Sequence, residues 1–136
     1  MVLLLRNPIY TQLLVINMRK ITQDAMKAFR KHRKFKRGNT EVVVSKSYLF
    51  AELKLHGNTI AKSGVFEGLM ISSAGWKTAT TKERLNGFEE VDIHQKDFTW
   101  YLNGHEWNGA WVDIGTWNLL DKFPNKTYNY SMHYLD

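Results

Sequence analysis

Residues 41–61 read EVVVSKSYLFAELKLHGNTIA, and the period of this stretch decides the fold. Apolar residues fall on alternate positions, so that Val42 and Val44 share one face of one segment and Leu49, Ala51, Leu53 and Leu55 share one face of the next. Side chains of an extended chain point alternately to opposite faces. A period of two therefore predicts half-buried strands over 41–45 and 48–55 rather than a helix. The tetrad His56-Gly-Asn-Thr supplies a tight turn into Ile60-Ala61. Connections this short join antiparallel neighbours, because parallel strands need long crossovers.

Upstream the period lengthens. Ile21, Ala25, Ala28 and Phe29 recur at helical spacing, with basic residues gathered toward the end that complements the helix dipole. This predicts a helix over 20–35 closed by Gly38. Downstream, Leu69–Ser72 reads as a further strand. Thr80-Thr-Lys-Glu83 has capping-box spacing, and Asn86-Gly87 offers a positive-φ stop, so a helix of one to two turns is expected there. Val91–Lys96 alternates again, as does Phe98–Leu102 with Phe98, Trp100 and Leu102 on one side. Asn103-Gly104 is a strong hairpin turn, and Trp111–Ile114 is expected as the last strand. The fold class expected is α+β: a basic N-terminal helix packed on an antiparallel meander of about six or seven strands, with the short helix at 80–86 between two sheet halves. Trp100 and Trp111 are expected in the core.

The expected organisation is one domain over 18–117, preceded by an N-terminal extension or edge strand (1–17) and followed by a weakly structured tail (118–136). Arg6 and Pro8 split the apolar run at the N-terminus, no basic region precedes it, and no small-residue cleavage site follows, so it is not read as a signal peptide or a membrane span. Met18 is a plausible alternative start. The chain has no cysteine, which excludes disulfides, thiol nucleophiles and thiolate metal sites and suits a reducing cytoplasm.

The formal charge of +6 is concentrated. Residues 19–37 hold nine Lys or Arg against one acid, Asp24, whereas residues 38–136 hold nine against twelve acids. A concentrated positive field attracts phosphate or acidic protein surfaces. Arg30, Lys31, Arg33, Lys34, Lys36 and Arg37 form an acid-free run within eight residues and are the main candidates for holding phosphates. A solvated helix face is the bland alternative. The stretch GWKTATTKERLNG (75–87) adds Lys77, Lys82 and Arg84 as an extension of that surface and Trp76 as a stacking residue. No phosphate loop, dinucleotide fingerprint, nucleophile elbow or zinc-protease motif is present. The residual constellation for acid–base or metal chemistry is His94, His105, Glu106 and Asp113, which needs neighbouring strands to bring it together. No cofactor is implied.

Several of these blocks occur together: Asn39-Thr-Glu-Val42, Leu55-His-Gly-Asn-Thr-Ile-Ala61, Gly75-Trp-Lys-Thr-Ala-Thr-Thr-Lys-Glu-Arg-Leu-Asn86, and Tyr101-Leu-Asn-Gly-His-Glu-Trp107-Asn-Gly109. Over roughly residues 18–115 the chain resembles small proteins encoded by tailed bacteriophages and related mobile elements. The resemblance implies the cytoplasm of an infected bacterium as the setting and transfers no catalytic residue. The function expected is a non-enzymatic phage accessory protein that binds nucleic acid or another polyanion. The alternative is an inhibitor that contacts a host protein, supported by the acidic balance after residue 38 and by Trp107 near a hairpin.

Overall fold

The computed structural model describes residues 18–121. The expected N-terminal extension or edge strand (1–17) and residues 122–136 of the expected tail (118–136) lie outside the described residues. The elements run α1 (Lys20–Arg30), β1 (Phe35–Arg37), β2 (Thr40–Val44), β3 (Phe50–Leu55), β4 (Asn58–Gly64), β5 (Glu67–Ile71), α2 (Ala79–Leu85), β6 (Ile93–Lys96), β7 (Thr99–Leu102), β8 (His105–Glu106), β9 (Val112–Asp113) and α3 (Ile114–Trp117). A 3-10 turn at Asn118–Asp121 follows. The fold is α+β, as expected. Its strands form two sheets, one of six strands in the order β1-β2-β3-β4-β5-β9 and one of three in the order β6-β7-β8.

The alternation in 41–61 becomes the centre of the larger sheet. Val42 pairs with Leu53, Val44 with Ala51 and Thr40 with Leu55, so these residues face one side together. Residues Ala25, Met26 and Phe29 of α1 are buried and share the core with Val42, Ala51, Leu53 and Leu55. The Phe29 ring meets Phe88 edge-on at 5.0 Å. Trp100 of the smaller sheet and Trp107, just after β8, are each 2% exposed, with ring centroids 6.1 Å apart. Trp117 is also buried and donates its indole N–H to the Leu102 carbonyl at 2.8 Å. Trp111, expected in the core, is instead half-buried with the Lys62 ammonium 4.5 Å above its ring.

Four local expectations are corrected. The first helix stops at Arg30, not at Phe35, because His32 takes a left-handed conformation (φ 52°). The His32 amide donates to Phe29 O and the Arg33 amide to Ala28 O at 2.8 Å, the paired bonds of a Schellman stop with histidine where glycine is usual. Gly38 lies in the turn between β1 and β2. The second helix is capped by Thr78, whose Oγ1 accepts from the Thr81 amide at 3.1 Å, so the expected Thr80/Glu83 box does not form. Asn86 is right-handed (φ −68°) and braces β6 instead, its carboxamide exchanging two hydrogen bonds with the backbone of Ile93. Gly87 is needed for close approach: a Cβ there would lie 2.7 Å from Thr22 Cγ2 and 2.9 Å from Met26 Cγ. Finally, Asp113 caps α3 by accepting from the Thr116 amide at 3.0 Å, which converts the end of the expected 111–114 strand into a helix.

Glu83 is released from capping to take part in a buried polar knot. Arg84 is 2% exposed and donates to Thr40 Oγ1 at 2.9 Å and to Thr22 Oγ1 at 3.1 Å, and it pairs with the Glu83 carboxylate. Thr22 in turn donates to Glu83 Oε1 at 2.7 Å, and Thr40 donates to Asn39 Oδ1 at 2.8 Å. One guanidinium therefore joins α1, β2 and α2. Removing one member of a buried, hydrogen-bonded ion pair costs about 3–5 kcal/mol. Arg84→Ala is expected to lose stability on that scale in denaturant unfolding, and Arg84→Lys to recover little of it, because a single ammonium cannot reproduce the forked donor set.

Candidate functional site

The Schellman stop redirects the cationic run. Arg30 and Lys31 end the helix, Arg33 and Lys34 lie in the following turn, and Lys36 projects from β1, the edge strand of the larger sheet. All five are exposed, and none has an ion-pair partner among the described residues. The turn is anchored by the His32 ring, whose Nδ1 lies 2.6 Å from the Tyr48 carbonyl oxygen. Arg37, expected in the same set, is also exposed but is engaged by α1. It donates to Asp24 at 2.8 Å and lies over the Phe35 ring at 5.1 Å. Asp24 also pairs with Lys20 at 3.0 Å, and the Arg37 and Lys20 hydrogen bonds hold its carboxyl below its ordinary pKa.

The 75–87 stretch divides. Arg84 is withdrawn into the polar knot and is removed from the expected surface, Lys82 is half-buried, and Lys77 is exposed. Trp76 is 61% exposed. Its position is set by a tight turn in which Ala74 (φ 55°) and Gly75 (φ 84°) are both left-handed and the Trp76 amide donates to Ser73 O at 2.9 Å. Behind that turn, the Ser73 amide and the Ser72 hydroxyl both donate to Gly109 O. Gly109 (φ 91°) has no room for a side chain, since a Cβ would lie 2.3 Å from Ser73 Oγ.

A cavity of about 520 Å³ opens beside Trp76. Its apolar floor is Leu55, Ile60 and Ala74, its far wall is His56 and Asn58 at the β3–β4 turn, and its near rim is Ser73 with Thr78, Thr80 and Thr81 from the start of α2. The His56 amide donates to Asn39 O at 2.8 Å, so the far wall adjoins the turn in which the cationic edge strand ends. The blocks at 55–61 and 75–86 thus converge on one cavity. Sequence reading treated the first as a turn and the second as a capped helix, and nothing in either spacing announces that they face each other.

The acid–base constellation is not brought together. Cross-strand register places His94 opposite Tyr101 and Tyr101 opposite Glu106, while His105 lies opposite Leu102 and so points to the other face. His94 stacks on Tyr101 at 5.3 Å. Asp113 belongs to the larger sheet, where it caps α3. Among the described residues no group of three or more His, Asp or Glu side chains is arranged to hold a metal ion, and no helix is long and apolar enough to cross a membrane.

One feature escaped sequence reading altogether. Tyr48, Leu49 and Phe50 at the β2–β3 turn and Val65 and Phe66 at the β4–β5 turn are exposed side by side, tied by a 2.9 Å bond from the Val65 amide to Leu49 O. Phe98, expected to share a strand face with Trp100 and Leu102, is 94% exposed in a turn where both Asp97 and Phe98 have positive φ.

The chain belongs to the family described as Kyanoviridae Gp96 protein, a family of phage proteins whose profile matches residues 18–119. No curated protein and no solved structure matches it.

Because the pKa of Asp24 is lowered in the fold, its two ion pairs stabilise the protein above the ordinary carboxylate range and are lost as pH falls through the lowered value. Acid titration followed by thermal unfolding should therefore show a loss of stability that Asp24→Asn lacks. The difference between the two proteins should shrink in high salt, as expected for exposed charges.

Proposed function

We propose that this phage protein is a non-enzymatic accessory factor that binds nucleic acid or another polyanion through the cations of residues 30–36. The observation that carries the reading is the group of five exposed cations, Arg30, Lys31, Arg33, Lys34 and Lys36, with no acid among them and no ion-pair partner among the described residues. Such cations gain by replacing the counterions condensed on a phosphate backbone. Arg37 stands apart, because a polyanion would have to compete with Asp24 for it. Lys77, exposed next to Trp76, is proposed to extend that surface. The proposed setting is the cytoplasm of the infected bacterium.

A second reading is supported by the exposed cluster of Tyr48, Leu49, Phe50, Val65 and Phe66. Contiguous exposed apolar residues favour protein contact, and a host protein with an acidic rim around an apolar centre would satisfy both the cluster and the nearby cations. Capture from bacterial lysate with and without nuclease separates the two readings: partners lost on nuclease treatment support the nucleic-acid reading.

Binding to a DNA fragment should fall linearly in log–log form with salt, with a slope of about −4.5 if all five cations meet phosphates of a duplex. Reversing three of them (Arg33→Glu, Lys34→Glu, Lys36→Glu) should flatten that slope by more than half. A mobility-shift assay without binding even at low salt overturns the reading.

A further inference from the structure

The cavity beside Trp76 has no part in the reading above, and its lining restricts what it can hold. Its volume, about 520 Å³, lies within the range of roughly 300–1,000 Å³ typical of small-molecule sites. No carboxylate, lysine or arginine lines it. A ligand that seats by its charge therefore gains little there, whereas a flat, uncharged group can lie on the apolar floor of Leu55, Ile60 and Ala74. Sugars meet the same difficulty, since ligand hydroxyls are donors best received by carboxylates.

Of the polar side chains that remain, most are already engaged and two are not. The Thr78 hydroxyl is taken up by the Thr81 amide and lies 3.0 Å from the Thr81 hydroxyl. The Thr80 hydroxyl and the Asn58 carboxamide make no side-chain hydrogen bond among the described residues. A carboxamide offers a donor and an acceptor side by side, which is the pairing presented by the edge of a nucleobase. Trp76 supplies an indole face at the mouth, and the turn that carries it is fixed by Ser72, Ser73 and Gly109 before any ligand arrives. Holding a large aromatic 61% exposed on a braced turn gives up its burial and leaves a surface on which a ring can stack.

We propose that this cavity is a nucleobase site: the base stacks on Trp76 and offers its hydrogen-bonding edge to Asn58 and Thr80. Two sources supply that chemistry, a free nucleoside or nucleotide, and an unstacked base of a bound single strand. The second is open because the His56 wall adjoins the turn where the cationic edge ends.

The test is calorimetric titration of the full chain with adenosine, cytidine and uridine, with glucose and maltose as controls, and with a single-stranded oligonucleotide at low salt. At least one nucleoside should bind. Trp76→Ala should weaken that binding by about ten-fold or more, the usual scale for loss of one stacking partner, while leaving the melting temperature unchanged. Thr80→Val should weaken it less, and the triple charge reversal at 33, 34 and 36 should not affect it. If Trp76→Ala also weakens the oligonucleotide, the source is a strand; if it weakens nucleosides alone, the source is a free nucleotide. Absence of nucleoside binding at millimolar concentration, binding indifferent to Trp76→Ala, or equal binding of the sugars overturns the proposal. Salt-dependent oligonucleotide binding without nucleoside binding would remove this site and leave the cationic surface standing. The converse result would do the opposite.

Discussion

A single guanidinium holds the arrangement together. Arg84 lies where α1, β2 and α2 meet, and its donors are received by Thr22, Thr40 and Glu83. A charge so buried is tolerated only because its partners surround it. The geometry around it follows from that requirement. Gly87 lets α1 approach closely enough to deliver Thr22, and Asn86 ties the same corner to β6. Asn39, bonded to Thr40, starts the strand whose neighbouring turn forms the far wall of the cavity. The site and the core thus share a foundation.

Two different physical devices shape the surface. On the cationic side, Asp24, the only acid between residues 19 and 37, pairs with Arg37 and Lys20 and leaves Arg30, Lys31, Arg33, Lys34 and Lys36 without an ion-pair partner among the described residues. On the cavity side no fixed charge is used. Shape, hydroxyl groups, one carboxamide, one imidazole and one indole define the lining, with the backbone of the 73–76 turn set by successive left-handed residues. A charged track responds strongly to salt and weakly to ligand shape; a neutral cavity does the reverse.

Much of the fold was legible in the sequence because strands declare themselves through alternation. The shared face of Val42 and Val44, that of Ala51, Leu53 and Leu55, and the Asn103-Gly104 turn follow from period and turn chemistry alone. The helix stop was not legible, since His32 adopts a backbone conformation usually reserved for glycine and is steadied by a contact to Tyr48, sixteen residues away. Arg84 looked like a surface cation because an isolated sequence cannot reveal that two threonines, at 22 and 40, will close around it. Phe98 continued the alternation of Trp100 and Leu102, yet a turn claimed it. The cavity was invisible for a related reason: three segments build it, each already explained by a local role in a turn or a cap.

The strand that carries Lys36 has a further consequence, for self-association. β1 is three residues long and forms one border of the larger sheet, while the opposite border, β9, is two residues long and passes at once into α3. A second copy approaching β1 would set lysine and arginine against lysine and arginine, and one approaching β9 would find almost no ladder to extend. Like charges and truncation are recognised ways of keeping sheets from polymerising. The basic border therefore carries both brevity and like charge, the features by which a sheet edge disfavours pairing with further copies of the same chain.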